Sequence, residues 1–167
     1  VRSGRTDILV GTQMIAKGHD LPGVTLVGII DADIGLHLPD FRAAEKTYQL
    51  ITQAAGRAGR GEEPGRVLVQ TRQANHPTIV AVATGRYKAF ARYELERRKG
   101  LSYPPWGRLL RLIISDEDLN QATRTAALMR DHLWQLLSAE ERAAISVLGP
   151  APAPLERLRG RYRFHLL

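Results

Sequence analysis

The chain contains no cysteine, has few aromatic residues and lacks any long apolar run. Without cysteine it can form no disulfide and offers no thiolate ligand to a metal ion. Its five histidines show none of the spacings typical of metal ligands, so we predict no metal site. The apolar stretches are too short for a transmembrane helix, and we predict no membrane partner.

The chain ends also lack familiar features. Val1 is not an initiator methionine, no signal-peptide segment follows it, and Leu167 ends an apolar run. We therefore expect a piece of a longer protein, truncated at both ends.

Positive charge is concentrated in the second half of the chain. The formal net charge is +7; residues 1–85 contribute +1 (9 basic, 8 acidic) and residues 86–167 contribute +6 (15 basic, 9 acidic). An uneven basic balance of this kind is typical of nucleic-acid contact, which makes the second half the candidate for it.

The first half alternates between strand and helix patterns. Apolar runs predict strands at 7–10, 24–30 and 66–71, and helical periodicity predicts helices at 13–17 and 43–57. This βαβ order predicts a parallel sheet, with 24–30 buried on both faces. Asp31-Ala32-Asp33 follows that strand at its carboxyl end, where ligand sites of α/β sheets gather.

A long helix and a smaller α/β region follow. Pro77 after His76 predicts a helix from residue 77 to about 99, ended by Gly100. Beyond it we predict strands at 109–114, 145–148 and 161–167, and a helix from Asp118 or Asn120 to 137. Residues 149–154 are proline-rich and are predicted as loop.

The segment from Gln53 to Arg60 carries the strongest chemical signal. On a helix, Gln53, Arg57 and Arg60 fall at i, i+4 and i+7 and share one stripe. Two guanidiniums on one stripe are suited to bidentate contact with phosphates. The alternative is a solvated arginine face with a glycine at the helix end.

A second candidate loop follows the strand at 7–10. Thr12 places a hydroxyl at a sheet edge, and Gly18 allows a turn whose amides can face a ligand. Asp20 could accept a hydrogen bond from a ribose hydroxyl or pair with an arginine. The alternative is an ordinary strand–helix loop with a turn-forming aspartate.

The two segments together resemble motifs V and VI of the second motor lobe of superfamily 2 helicases. The run from Leu38-Pro39-Asp40-Phe41-Arg42 through Arg60 is similar to the PriA family (primosomal protein N′). Tyr103-Pro104-Pro105-Trp106 and the 148–152 loop also resemble that family's C-terminal domain. The resemblance implies an incomplete RecA-like second helicase lobe at 1–85, a connecting helix at 86–100, and a small α/β DNA- and partner-binding domain at 101–167.

The resemblance implies an ATP site shared with a first lobe. Arg60 would be the arginine finger, Arg57 would contact the γ-phosphate, and Gln53 would couple nucleotide to the lobes. Gly18 and Asp20 would lie near the nucleotide sugar. ATP and Mg²⁺ are the implied cofactors; this chain has no phosphate-binding loop of the Walker type, so alone it should not hydrolyse ATP.

The resemblance also implies nucleic-acid contacts. Thr12 and Gln13 would face the DNA backbone and Lys17 could touch a phosphate. In the tail, strand alternation places Arg161 and Arg163 on one face, where they could bind phosphates or an acidic partner segment. The family's zinc sites use cysteines, so Zn²⁺ is expected only in the full-length protein.

The implied function is a 3′–5′ DNA helicase that recognises stalled or branched forks and restarts replication in the bacterial cytoplasm, at the nucleoid. Implied partners are forked and single-stranded DNA, single-stranded-DNA-binding protein and other primosome proteins. Two alternatives stay open: a fork-binding, helicase-loading scaffold without ATPase activity, and a different superfamily 2 enzyme that remodels branched DNA.

Overall fold

The computed structural model describes residues 6–12, 23–59 and 64–167, which form two compact units, 1–102 and 103–167. The first holds a small parallel sheet with helices, and the second holds a separate antiparallel sheet. The predicted α/β fold class is confirmed. The separate roles assigned to 1–85, 86–100 and 101–167 stay a prediction.

The first unit is built on a strand–helix–strand crossover. Strand β1 (Leu26–Ile29) and strand β2 (Arg66–Val69) pair in parallel, with Leu26 opposite Arg66 and Ile29 opposite Val69. A short helix α1 (Asp33–Leu36) and helix α2 (Ala43–Ala55) connect them. Adjacent parallel strands need such a crossover because the chain must return to the starting end of the sheet, which a tight turn cannot do.

The core of this unit lies under one face of the sheet. Apolar positions of α2 recur every three or four residues, which buries Ala44, Tyr48 and Ile51. Ile51 is 1% exposed and packs with Ile79. The same cluster includes the half-buried Ile29, Val69 and Val82.

The other face of the sheet differs from the prediction. Leu26 is 56% exposed and Leu68 is 62% exposed, so the first predicted strand is not buried on both faces. Strand alternation explains the pattern, because the described helices cover only the face that carries the odd-numbered residues of both strands.

The predicted strand at 7–10 and the predicted helix at 77–99 also need correction. Residues 7–10 are described and are exposed, and they form neither strand nor helix. The long helix is two helices, α3 (Pro77–Thr84) and α4 (Tyr87–Gly100). Gly85 separates them at φ +67, a left-handed conformation that glycine adopts without steric cost. The predicted start is confirmed, since the His76 side chain accepts from the Thr78 N–H.

The second unit is a three-stranded antiparallel sheet with two helices. Strands β3 (Leu112–Asp116), β4 (Ala151–Leu158) and β5 (Arg161–Leu166) lie in the order β3-β5-β4. Helix α5 (Leu119–Leu136) begins at the predicted Asp118 cap, which accepts from the Gln121 N–H, and buries Ala122 and Ala126.

Two predictions for this unit were wrong, and one helix was not predicted. Residues 145–148 form no strand, although Leu148 and Leu167 exchange two backbone hydrogen bonds. Helix α6 (Ala139–Ala144) was missed, despite the capping box between Ser138 and Glu141. The proline-rich loop is the start of β4, because an edge strand tolerates proline where no ladder N–H is needed.

Candidate nucleotide and nucleic-acid sites

The predicted segment that begins at Gln53 leaves the helix after Ala55. Residues 56–59 form a turn, which we call the arginine turn. The helix ends at Ala55, not at 57, and Gly56 caps it by donating to the Thr52 carbonyl. Arg57 then donates its backbone N–H to the Ala54 carbonyl at 3.0 Å, and its side chain is half-buried. The predicted helical stripe is therefore interrupted after Gln53, which is exposed on the last turn of α2. Arg60 lies outside the described residues.

Gly59 fixes the path of this turn. It has φ +73 and donates its N–H to the carbonyl of Val24, just before β1. A Cβ at Gly59 would lie 2.6 Å from the backbone nitrogen of Gly65. The close approach to Gly65 explains why glycine is needed here. The hydrogen bond to Val24 places the turn at the amino-terminal end of the sheet.

Of the predicted residues in the first loop, only Thr12 is described. It is exposed and belongs to neither a helix nor a strand. Gln13, Lys17, Gly18 and Asp20 lie outside the described residues, as does the predicted helix at 13–17. Their assigned contacts stay predictions.

The carboxyl end of the sheet is closed by Asp33. Its carboxylate accepts from the Thr71 hydroxyl at 2.6 Å and from the Arg72 backbone N–H at 2.7 Å. The hydrogen bond from the Arg72 N–H, followed by that from Thr71, lowers the pKa of Asp33. Both bonds join the loops that follow β1 and β2. Asp33 therefore has a structural role at the edge where the sequence indicated a ligand site.

A shallow depression of about 320 Å³ lies beside this carboxylate. It is lined by Asp31, Asp33, Ile34, His37, Arg72 and Gln73. His37 makes hydrogen-bond contact with the Asp33 carbonyl at 2.8 Å and with the Gln73 amide at 3.2 Å. This depression lies at the opposite end of the sheet from the arginine turn, so the two do not form one site.

The second unit presents a basic hairpin made of β4 and β5. Arg159 and Gly160 form its tip, at φ +51 and φ +83. Strand β5 pairs with β3 without a register shift from Tyr162 to Leu166, so Arg161 and Arg163 lie on one face and Tyr162 and Phe164 on the other, as predicted. Such a tip with two left-handed residues is typical of a tight hairpin.

The hairpin arginines differ in their partners. Arg161 donates to the Ser115 carbonyl at 2.9 Å and pairs with Glu117 at 3.2 Å, and Arg163 donates to the Leu155 carbonyl at 3.3 Å. Both guanidiniums are therefore held within their own unit.

Two further arginines on the hairpin were not singled out from the sequence. The Arg157 guanidinium lies over the Tyr162 ring at 4.9 Å and is exposed, as is Arg159 at the tip. The signal was available, because both arginines belong to the same alternating run and Arg159 precedes a turn glycine. The exposed cationic surface thus extends from β5 to the hairpin tip.

The described ranges contain neither a cluster of metal-ligating side chains nor a helix that could span a membrane. In residues 6–12, 23–59 and 64–167, no group of three or more His, Asp or Glu side chains could hold a metal ion. In the same ranges, no helix has the length and apolar character that crossing a bilayer requires.

Comparison with known proteins assigns the family. Residues 99–167 match the family described as Primosomal protein N C-terminal domain, and residues 1–62 match Helicase conserved C-terminal domain. The Replication restart protein PriA of Bacillus subtilis is 46% identical over 161 residues, which is 96% of this chain and 20% of that protein. The chain belongs to the PriA family.

Other PriA proteins extend the match over the whole chain. PriA of Synechocystis sp. is 44% identical over 98% of this chain and 19% of that protein, and PriA of Haemophilus influenzae is 36% identical over 100% and 22%. The chain therefore spans about a fifth of the length of these relatives. The helicase match includes the arginine turn, and the PriA-specific match includes the basic hairpin.

Proposed function

We propose that this chain is the C-terminal part of an ATP-dependent 3′–5′ DNA helicase that acts at stalled or branched replication forks. The observation that carries the proposal is the helicase match over residues 1–62, which ends just after the arginine turn that follows α2. The relatives' printed name, Replication restart protein, supports the place of this activity in replication restart.

The arginine turn would serve the nucleotide. Gln53 and Arg57 present amide and guanidinium donors at one end of α2, a donor set that fits phosphate oxygens. In the proposed site Arg57 contacts the γ-phosphate and Arg60 is the arginine finger, with Gly18 and Asp20 near the sugar. A first lobe would supply the phosphate-binding loop and Mg²⁺, which would neutralise developing charge on the phosphates.

The basic second unit would hold DNA. Phosphate contacts depend on exposed cations, and Arg157, Arg159 and Arg161 are exposed. Arg157, Arg161 and Arg163 also donate hydrogen bonds to carbonyls within the unit. We assign backbone phosphate contact to the whole hairpin, with the tip contributing most. Thr12, Gln13 and Lys17 would contact the strand on which the motor acts. Single-stranded-DNA-binding protein and primosome proteins are the proposed protein partners, in the cytoplasm at the nucleoid.

DNA-stimulated ATP hydrolysis by the full-length protein tests the nucleotide role. Arg60→Ala should lower kcat by about 10³-fold or more, as loss of an arginine finger does in related phosphoryl-transfer enzymes. Arg66→Ala is the matched control, since Arg66 is an exposed arginine close in sequence, and it should leave turnover unchanged. Unchanged turnover in the Arg60 variant would refute the assignment.

The second candidate is a fork-binding scaffold that loads another helicase without hydrolysing ATP. The observation that favours it is that the basic hairpin belongs to a compact unit of its own, separate from the unit with the arginine turn. Wild-type full-length protein that binds forked DNA but hydrolyses no ATP would establish the scaffold. Hydrolysis that depends on Arg60 would exclude it.

A further inference from the structure

The family-specific segment before and within the first turn of α2 makes a set of contacts that the proposed ATP site does not use. Asp40 accepts from the Arg42 N–H at 2.9 Å through its carboxylate, and its carbonyl accepts from the Ala43 N–H at 2.9 Å. Lys46 pairs with the same carboxylate, and this hydrogen bond is the main reason that the pKa of Asp40 is lowered. Asp40 therefore fixes where α2 begins.

Next to this turn, Arg98 of α4 joins several of the segment's side chains. Its guanidinium is 2.8 Å from Glu45, 3.9 Å from Glu94 and 5.2 Å from the centroid of the Phe41 ring. The Arg42 guanidinium also lies over that ring, at 5.0 Å. The Arg98 side chain is only 13% exposed, so its charge is largely removed from water and depends on these partners.

Stability alone does not explain the cluster formed by Arg98, Glu45, Glu94 and Phe41. Glu94 is buried, and burial raises the pKa of its carboxyl group although Arg97 and Arg98 oppose the shift. Among the described residues, Glu94 Oε1 and Arg98 Nε have no hydrogen-bond partner. A partly satisfied buried charge network typically stabilises a fold less than apolar packing of the same volume would. A role in positioning explains why charges are used here.

The geometry shows what the contact connects. Glu45 lies in the first turn of α2, Gln53 in its last turn and Arg57 just beyond, so a rigid helix of about 20 Å joins them. Arg98 lies in the last turn of α4, and the second unit begins five residues later, at Tyr103. The ion pair therefore joins the first turn of α2, at the opposite end of the helix from the arginine turn, to the last turn of α4, which precedes the second unit.

We infer that Arg98 is a positioning residue whose ion pair with Glu45 couples the carboxyl end of α2, with Gln53 and the arginine turn that follows it, to the chain segment entering the DNA-binding unit. The inference rests on the proposed function. Because α2 is a single helix, a shift at its nucleotide end moves Glu45, and the buried Arg98 carries that shift to α4. Coupling between two sites is reciprocal, so DNA bound by the second unit would adjust the arginine turn.

The test uses the full-length protein with a forked DNA, and compares Arg98→Ala, Glu45→Ala and the double variant. Coupling free energies between sites typically correspond to about 5- to 150-fold. We expect both single variants to keep basal ATP hydrolysis and single-strand affinity, and to lose at least fivefold in stimulation by the fork. The double variant should lose no more than either single variant, because both remove one contact.

Two controls separate coupling from folding. Arg97→Ala removes the neighbouring arginine, which is more exposed and lies 3.8 Å from Glu94, so the Arg98–Glu45 pair remains and stimulation should be unchanged. If Arg98→Ala does not fold, Glu45→Ala still tests the inference, because Arg98 stays paired with Glu94 in that variant and the fold is kept. Arg98→Lys keeps the charge and should recover part of the stimulation.

The outcomes are distinguishable. Wild-type fork stimulation in both Arg98→Ala and Glu45→Ala would overturn the inference, as would equal losses in basal and stimulated turnover together with a lower Tm. A wild-type protein that hydrolyses no ATP with or without DNA would instead overturn the proposed function on which the inference rests.

Discussion

Replacement of Gly59 by alanine should destabilise the arginine turn more than replacement of Gly85, which has a similar φ, destabilises its own turn. Alanine at φ +73 costs about 1–2 kcal/mol because its Cβ crowds the neighbouring carbonyl. The new Cβ would also lie 2.6 Å from the Gly65 nitrogen, a backbone atom that can move only with the chain. Overpacking of that kind adds about 1–3 kcal/mol, which gives about 2–5 kcal/mol in total.

Gly85→Ala is the matched control. Gly85 has φ +67, almost the same backbone conformation, but a Cβ there would meet nothing within 4 Å. Only the conformational cost remains, about 1–2 kcal/mol. The difference between the two variants therefore isolates the clash between Gly59 and Gly65.

Hydrogen exchange is the suitable assay, because it reports local stability in a protein with several units. The N–H of Gly59 binds the Val24 carbonyl and the N–H of Arg66 binds the Thr25 carbonyl, so both amides report the turn. In Gly59→Ala the Arg66 amide should exchange at least tenfold faster, since about 1.4 kcal/mol is tenfold in an equilibrium constant. Equal exchange of that amide in wild type and Gly59→Ala would refute the reasoning.

Three other predictions concern the core, the sheet edge and the hairpin. Ile51→Ala should lower the free energy of unfolding by about 2–5 kcal/mol, whereas Val80→Ala, at an exposed position, should cost well under that in the same denaturation experiment. Asp33→Asn should lower the Tm at neutral pH. Because the pKa of Asp33 is lowered in the fold, its contribution to stability is present above the unfolded pKa of about 4 and is lost as pH falls through the folded pKa. The Tm values of wild type and variant should therefore converge in acid. Arg159→Ala should weaken forked-DNA binding and reduce the slope of log K against log salt concentration by about 1. The control is Arg124→Ala, at an exposed position of α5. Equal slopes in the two variants would contradict a phosphate contact at the hairpin tip.

The sequence predicted the elements whose signals are local. The helix at α2 follows from apolar spacing, and the starts of α3 and α5 follow from His76-Pro77 and Asp118. These features depend on neighbours within one or two turns, so they can be recognised without the fold.

The sequence failed where distant contacts decide. Residues 151–154 contain two prolines and were predicted as loop, yet they belong to β4, which pairs with β5. An edge strand tolerates proline because the N–H groups on its outer side make no hydrogen bonds to another strand. Asp33 was assigned to a ligand edge, whereas Thr71 and Arg72, almost forty residues away, occupy its carboxylate. Neither partner could be identified from spacing along the chain.

For this protein the order of residues alone determined the family, the parallel crossover and the position of the arginine segment, because each is set by short-range pattern and by motif similarity. Only the tertiary structure decided that Arg157, Arg159 and Arg161 of the basic tail are exposed, that Asp33 bonds to Thr71 and Arg72 at the sheet edge, and that Arg98 reaches Glu45. Those facts depend on which side chains meet across the fold, and burial and hydrogen bonding between remote residues are not encoded in any local spacing.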